Sequence, residues 1–219
     1  MKKLLLTSLL GIGTLALAGC DNYPYKEKIQ GIYDWDNQTG DKAICMVITD
    51  ITQSMYPYTI KYIDGADLPF TYETRRAHFN HRTNKSLHFF SGLGFFSEEL
   101  VGEEQGKPLY RYELTDLGKQ YVKWAFGATN FCFGRIVVDS IDRKRDWINR
   151  LGGIKVRDVY ITYHVENIPD WVKNSEAYER FRYPKEITTG GPLHGIHYFD
   201  VLRGGKLRSR WGVNGTYQK

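Results

Sequence analysis

The sequence predicts an α+β fold, with a mixed N-terminal half followed by a β-rich C-terminal half. Three observations lead to this prediction: the apolar runs are short, several segments alternate with a period of two, and glycine pairs mark tight turns. The 42% hydrophobic and 15% aromatic content supplies one sizeable core or two small ones. A change of texture near residue 130 divides the chain into 29–130 and 131–219, as two domains or one continuous domain.

The N-terminal half opens with short apolar segments at 29–35 and 43–51, the second of which fits either a helix or a strand. Residues 55–63 are clearer, because tyrosine and isoleucine alternate with other residues at the period of a strand. Pro57 lacks a backbone donor, so it limits the start of this strand to a sheet edge or a strand end.

The middle third predicts a helix, a turn, a strand and a second helix. Ser86 fits the N-cap of the first helix, residues 102–114 supply a polar turn and a strand, and Thr115 fits the N-cap of a helix reaching about Phe126. This order, with Leu-Thr-x-x-Gly-x-x-Tyr at 114–121, resembles the recognition helix, wing and following helix of winged-helix domains. The resemblance covers the segment 86–126.

Winged-helix domains usually bind DNA, but the expected recognition helix has the wrong side chains for that role. Where a DNA reader needs lysine, arginine and asparagine, this segment carries four phenylalanines and two glutamates: Phe89, Phe90, Phe95, Phe96, Glu98 and Glu99. We therefore expect a buried packing helix or a protein contact surface, and no nucleic-acid partner. The basic stretch 80–85 is expected to form a loop, either solvated or touching lipid headgroups or an acidic partner.

In the C-terminal half, an antiparallel sheet is expected. Residues 136–138 and 156–165 predict two strands joined by the turn at Gly152-Gly153. The second strand is apolar or aromatic on both faces, so we expect it to be central.

One helix and a final hairpin complete the expected C-terminal half. Asp170 is the candidate cap of the helix, and Tyr183-Pro184 ends it. Residues 197–203 and 207–211 predict the hairpin, because Gly204-Gly205 is a strong two-residue turn signal.

The first twenty residues have the form of an export signal. Two lysines precede an uncharged apolar run over 4–18, which falls short of the roughly 18–20 residues that a spanning helix needs. Leu17-Ala18-Gly19-Cys20 then resembles the lipobox of bacterial lipoproteins. The resemblance implies a signal peptide over 1–19, a diacylglycerol and palmitate on Cys20, and a lipidated tether over 20–28. The remaining chain is then an extracytoplasmic domain of the cell envelope.

Two features refine this localisation. In lipoproteins of Gram-negative bacteria an aspartate after the lipidated cysteine often marks retention at the inner membrane, so Asp21 favours the periplasmic side of that membrane over the outer membrane. Without Lys2 and Lys3 the chain has 28 basic and 25 acidic residues, a net charge of +3. This mild excess suits a domain near anionic lipid and predicts no nucleic-acid partner.

With Cys20 lipidated, Cys45 and Cys132 remain. An even pair in an oxidising periplasm usually forms a disulfide. Two buried free thiols are the alternative, because the sequence does not show whether the Cα atoms approach to bonding distance. A catalytic role for Cys132 is a third interpretation, which its phenylalanine neighbours disfavour because an apolar environment raises a thiol pKa.

The common catalytic motifs are absent from the sequence: it has no nucleophile elbow, phosphate loop, His-Glu-x-x-His motif or paired cysteines at metal spacing. His194 and His197 are weak metal candidates, with His164 or Asp200 as a third ligand. Ordinary surface or half-buried histidines are the alternative. His78 and His81, three apart, are open to the same two interpretations. We expect no cofactor.

Three function classes remain open. The first is a lipid-anchored, non-enzymatic domain that binds an envelope or periplasmic protein, as an immunity, envelope or secretion accessory. The second is an envelope hydrolase or metalloenzyme that uses the histidines, and the third is a nucleic-acid binder that requires an unused lipobox. For the first class we expect the partner contact on the final hairpin, because arginine and aromatic residues are enriched at interface hot spots. Its candidate residues are Tyr198, Arg203, Arg208, Arg210 and Trp211.

Overall fold

Helices and antiparallel sheets together build the fold, which confirms the α+β class. The computed structural model describes residues 23–65, 67–125 and 127–210. The helices are α1 (Tyr23–Asp34), α2 (Arg75–Gly92), α3 (Asp116–Tyr121), α4 (Ser175–Phe181) and α5 (Lys185–Thr189). The strands are β1 (Ile44–Thr49), β2 (Tyr58–Lys61), β3 (Phe96–Glu104), β4 (Lys107–Leu114), β5 (Val122–Ala125), β6 (Ala128–Phe133), β7 (Arg135–Ile148), β8 (Lys155–Glu166), β9 (Leu193–Val201) and β10 (Leu207–Ser209). Short 3-10 turns cover Gln53–Met55, Asp170–Lys173 and Arg203–Gly205.

The described strands form three antiparallel sheets. The large sheet has the order β10-β9-β8-β7, and the two small sheets have the orders β1-β6-β5 and β2-β4-β3. Strand β8 is central in the large sheet, as expected from its two apolar faces, and Val159 and Ile161 on it are fully buried. Strand β2 lies at an edge and begins one residue after Pro57, as predicted.

The main core is aromatic and joins all three sheets. Phe90 of α2 lies within ring-contact distance of Phe95, Phe131 and Trp171, with centroids 4.9–6.0 Å apart. Val165 of the large sheet belongs to the same buried cluster. Strand β6 runs through residue 130, so the change of sequence texture falls inside a strand, and the core takes side chains from both sides of it.

Helix α1 packs on one face of the large sheet, beside its edge strand β7. Its Ile29 is fully buried in a second, smaller cluster. Gln30 donates a hydrogen bond to the carbonyl of Ile136 and accepts one from the backbone N–H of Val138. These bonds occupy backbone groups that edge strand β7 otherwise leaves unpaired. The predicted tether over 20–28 is therefore wrong in its extent, because the helix already begins at Tyr23.

Helix α2 is longer than the sequence indicated. The predicted cap Ser86 is a buried residue inside the helix, and the expected loop at 80–85 is helical. The error has a physical cause: the first half of α2 is largely solvated and carries few apolar residues, so it lacks the period of a buried helix.

Helix α3 begins as predicted and ends early. Thr115 is its N-cap and accepts a hydrogen bond from the Gly118 N–H at 3.1 Å. The helix stops at Tyr121 because residues 122–125 form strand β5, which pairs with β6. The last predicted helical residue, Phe126, lies outside the described residues.

The C-terminal half differs from the expected single helix. It contains α4 and α5, and the cap of α4 is Asn174, whose side-chain oxygen accepts from the Glu176 N–H at 2.9 Å. Asp170 instead begins a 3-10 turn. Both predicted hairpins are present: β7 and β8 turn at Gly152-Gly153, and β9 and β10 turn at Gly204-Gly205.

Candidate functional site

The first half of α2 and the loop before it form the most unusual surface of the described residues. The loop 67–74 is fixed by Thr74, whose hydroxyl donates to the carbonyl of Pro69 at 2.5 Å and accepts from the Thr71 N–H at 2.8 Å. On the other side, Gly65 lies against the Ala77 backbone, where a Cβ would stand only 2.7 Å from the Ala77 carbonyl carbon. The glycine therefore allows this segment to approach the helix closely.

Large aromatic side chains are exposed here. Phe70 is 73% exposed, Tyr72 85% and Phe79 36%. Single exposed apolar residues are common on soluble proteins, but a contiguous group marks an interaction surface. The three aromatics line one concave surface together with the arginines of α2.

The charge of this surface is positive. Arg75 lies over the Tyr72 ring at 5.9 Å, and Arg82 lies over the Phe79 ring at 5.9 Å. Arg76 is exposed beside them. We call the group of exposed aromatics and arginines the α2 patch, and it consists of Phe70, Tyr72, Arg75, Arg76, Phe79 and Arg82.

The two histidines at spacing three lie beside this patch. The His78 ring is 5.3 Å from the Phe70 ring, and its Nε2 atom is buried without a hydrogen-bond partner among the described residues. His81 Nδ1 lies 3.3 Å from a carboxylate oxygen of Asp64. Both rings therefore support the loop and the helix at the base of the patch.

The sequence interpretation missed the α2 patch. Two signals were available: three aromatic residues and three arginines occur within 70–82, and no apolar period explains them as core. The sequence was expected to form a loop at 80–85, either solvated or in contact with lipid or a partner, whereas these residues lie in helix α2.

The proposed histidine pair does not form a site. His194 is 75% exposed in its side chain, whereas His197 is only 3% exposed and stacks on Phe199. Residues three apart on a strand point to opposite faces, so these rings cannot share a metal. Burial lowers the pKa of His197 to about 4.

The two suggested third ligands have other partners. His164 Nδ1 lies 2.8 Å from Asp139, a hydrogen bond that raises the pKa of the imidazole. Asp200 binds two arginines. Among the described residues no group of three histidines, cysteines or carboxylates has the arrangement of a metal site.

Asp200 organises the final hairpin. Arg208 Nη2 donates to it at 2.8 Å, and Arg210 Nε donates to its other oxygen at 2.6 Å. Burial of Asp200 opposes ionisation, but the two arginine hydrogen bonds outweigh it and hold the pKa of the carboxyl below its usual value. Two of the arginines expected to contact a partner, Arg208 and Arg210, are thus already paired with a buried carboxylate.

The other members of that expected contact differ in exposure. Tyr198 is half-buried and Arg203 is exposed in the turn. Trp211 lies outside the described residues. A partner contact on this hairpin stays a prediction.

Cys45 and Cys132 are directly opposed partners on β1 and β6. Their sulfurs lie 2.08 Å apart and their Cα atoms 4.0 Å apart. Cys132 is fully buried, whereas Cys45 is on the exposed face. The pair joins two strands of one sheet across 87 residues of sequence.

The lipobox, Cys20 and Asp21 lie outside the described residues. No helix within 23–65, 67–125 or 127–210 has the length and apolar character needed to cross a membrane. No protein-family description matches the sequence, and no curated protein or solved structure is significantly similar to it.

Proposed function

We propose that this protein is a lipid-anchored extracytoplasmic binding protein. In this proposal Cys20 carries the lipid, and the α2 patch binds an acidic segment of another protein of the cell envelope. The observation that carries the proposal is the grouping of three exposed aromatic rings with three arginines on one surface.

The chemistry of the α2 patch fits a protein interface. Aromatic residues and arginine are enriched at hot spots, because they combine large apolar area with directional donors. Arg75 and Arg82 lie over aromatic rings, which limits their motion before a partner binds. With three arginines and one carboxylate, Glu73, the lining attracts a segment that carries aspartate or glutamate.

The position of the α2 patch also favours a protein partner over the bilayer that would hold Cys20. Helix α2 packs on the main core, whereas α1 runs along the large sheet in the opposite direction to β7. Asp34 pairs with Arg135 at the beginning of β7, and Lys26 reaches the carbonyl of Asp139 further along it. The start of α1 therefore lies away from the main core, and a lipid on Cys20 would be attached only three residues before it.

One observation favours a second candidate, nucleic-acid binding. Helix α2 is followed by the hairpin β3-β4 and then by α3, which keeps the order of the winged-helix resemblance. Its exposed positions include Arg75, Arg76, Arg82 and Lys85. This candidate requires an unlipidated cytoplasmic chain that binds DNA with a steep loss of affinity as salt rises.

Photocrosslinking from the α2 patch tests the proposed function. A photoreactive amino acid at position 72 of the full-length protein should capture one protein partner in native membranes. The double variant Arg75→Glu/Arg76→Glu should lose the capture through charge repulsion, without a change in the melting temperature. The matched control Lys107→Glu/Lys185→Glu reverses two exposed charges outside the patch and should keep it. Equal capture by the two double variants would contradict the role of the patch.

A further inference from the structure

Two turns of the large sheet meet at one end of the molecule. Trp147 pairs with Val156 across β7 and β8, and Val156 pairs with Asp200 of β9. The turns 149–154 and 202–206 both lie within a few residues of these three paired positions. Strand β7 leaves the main core at Ile136, so this end lies up to about 40 Å from it at about 3.3 Å per residue.

This end exposes large apolar side chains. Leu151 is 99% exposed at the apex of the first turn, and Ile148 is 58% exposed. Trp147, Ile154 and Leu202 are each 38–39% exposed. We call these five residues and the two turns the tip surface. The indole N–H of Trp147 donates to Asp158 at 2.7 Å and the Arg210 guanidinium lies over its ring at 5.9 Å, so this ring is fixed at the rim.

The strand ends and turns that carry the tip surface are also strongly basic. Residues 143–158 and 200–210 contain ten lysines and arginines against three aspartates, a net charge of +7. The whole chain after the expected cleavage carries only +3, so the remainder is net negative. Among the described residues Arg150, Arg203 and Lys206 of the two turns form no ion pair. These cations point to an anionic partner.

The start of helix α1 lies toward this same end. Tyr25 accepts a hydrogen bond from Arg157, which lies opposite Asp146 on β7, two residues before Ile148. The Lys144 ammonium lies 5.0 Å from the Tyr25 ring. Cys20 is three positions before Tyr23, a span of about 10 Å when extended. A lipid on Cys20 would therefore enter the bilayer close to the tip surface.

We infer that the tip surface docks on the anionic phospholipid headgroups of the bilayer that holds the Cys20 lipid. Leu151 and Ile148 enter the interfacial region, and Arg150, Arg203 and Lys206 contact the phosphates. This inference rests on the proposed lipid anchor. The anchor keeps the tip surface at a high local concentration near the bilayer, so a weak contact is sufficient to orient the domain. The α2 patch then faces away from the membrane.

A spin label on the full-length lipidated protein tests this orientation. The variant Leu151→Cys carries a nitroxide at the apex, and Leu100→Cys, 62% exposed on the hairpin β3-β4, is the matched control. Each protein is reconstituted into phosphatidylcholine vesicles with and without phosphatidylglycerol. Collisions with oxygen report lipid contact, and collisions with a water-soluble nickel chelate report solvent contact.

With phosphatidylglycerol, the label at 151 should lose most of its nickel accessibility and gain oxygen accessibility, while the label at 100 stays in water. The added double change Arg150→Glu/Lys206→Glu should return the label at 151 to water without releasing the protein from the vesicles. A label at 151 that stays in water on vesicle-bound protein would overturn the docking and leave the anchor intact. Failure of the wild type to float with vesicles would overturn the anchor, and the docking with it. If the label at 151 is protected from the nickel chelate only in native membranes, and not in the vesicles, the contact is with a protein and the lipid contact is overturned.

Discussion

The hydroxyl oxygen of Tyr25 lies 2.5 Å from Nη1 of Arg157 and links the start of α1 to the beginning of strand β8. Arg157 also donates to Asp146, and these bonds raise the pKa of its guanidinium above the usual value. Tyr25 is 8% exposed and packs edge-on against Phe199. The contact matters because it fixes the position of the first turn of α1 on the large sheet.

Two replacements of Tyr25 should therefore destabilise the domain to different degrees. Tyr25→Phe keeps the ring and removes one hydrogen bond, which should lower the free energy of unfolding by about 1 kcal/mol. Tyr25→Ala also leaves a cavity and should cost about 3 kcal/mol. Urea unfolding of the full-length protein in detergent measures both values. Equal effects of the two variants would show that the ring does not pack as described.

The Asp200 pair gives a second prediction. Arg208→Ser should have a small effect, because Arg210 still pairs with the carboxylate, whereas Arg208→Ser/Arg210→Ser leaves a buried charge without partners. Removal of the partners of a buried charge typically costs about 3–5 kcal/mol. Thermal unfolding of the single and double variants checks this. An unchanged melting temperature in the double variant would mean that the arginines are merely solvated.

His197 predicts a loss of stability between about pH 6.5 and pH 4. Its pKa falls from 6.5 to about 4 in the folded protein because of burial. Between these values the unfolded chain binds a proton that the folded chain does not, so stability decreases as the pH falls, by up to about 3 kcal/mol.

The variant His197→Phe is the control for this pH dependence. It removes the titrating group, so the free energy of unfolding should differ less between pH 7 and pH 4.5 than it does in the wild type. His164 has a raised pKa and acts in the opposite direction, gaining stability as the pH falls, and it is unchanged in the comparison. Parallel pH profiles of wild type and variant would contradict the assignment.

The Cys45–Cys132 pair predicts a large stabilisation by a disulfide. Cross-linking residues 87 apart removes about 4–5 kcal/mol of chain entropy from the unfolded state. Cys45→Ala tests this stabilisation better than a change at Cys132 does, because Cys45 is exposed and its replacement leaves no cavity. The wild type should show no reactive thiol under denaturing conditions without reductant. Two reactive thiols would exclude the bond.

The predicted helices and strands differ from the observed ones where the side chains are not buried, because only buried elements have a clear apolar period in the sequence. Strand β8 and both glycine turns were predictable, because Val159 and Ile161 belong to an apolar run bounded by Gly152-Gly153. The first part of helix α2 was not predictable, because residues 75–85 face solvent for much of their length. Residues 122–125 extended a helical pattern in the sequence, but pairing with β6 makes them a strand, so tertiary contacts override local preference there.

The candidate surfaces were less predictable than the fold. Leu151 and Ile148 flank a recognisable turn, and turns lie at the surface, so their exposure was open to prediction. Their proximity to the start of α1 depends on the contact between Tyr25 and Arg157, which are 132 residues apart. The pairing of Asp200 with Arg208 and Arg210 likewise depends on strand register.

Lipid attachment at Cys20 is the central claim, because the orientation of the tip surface and the α2 patch depends on it. Cells that express the wild type and the variant Cys20→Ala are grown with radiolabelled palmitate, and the protein is isolated from each. Label should appear in the wild-type protein and be absent from the variant, and the wild-type protein should be found in the membrane fraction. A wild-type protein that takes up no palmitate would contradict it.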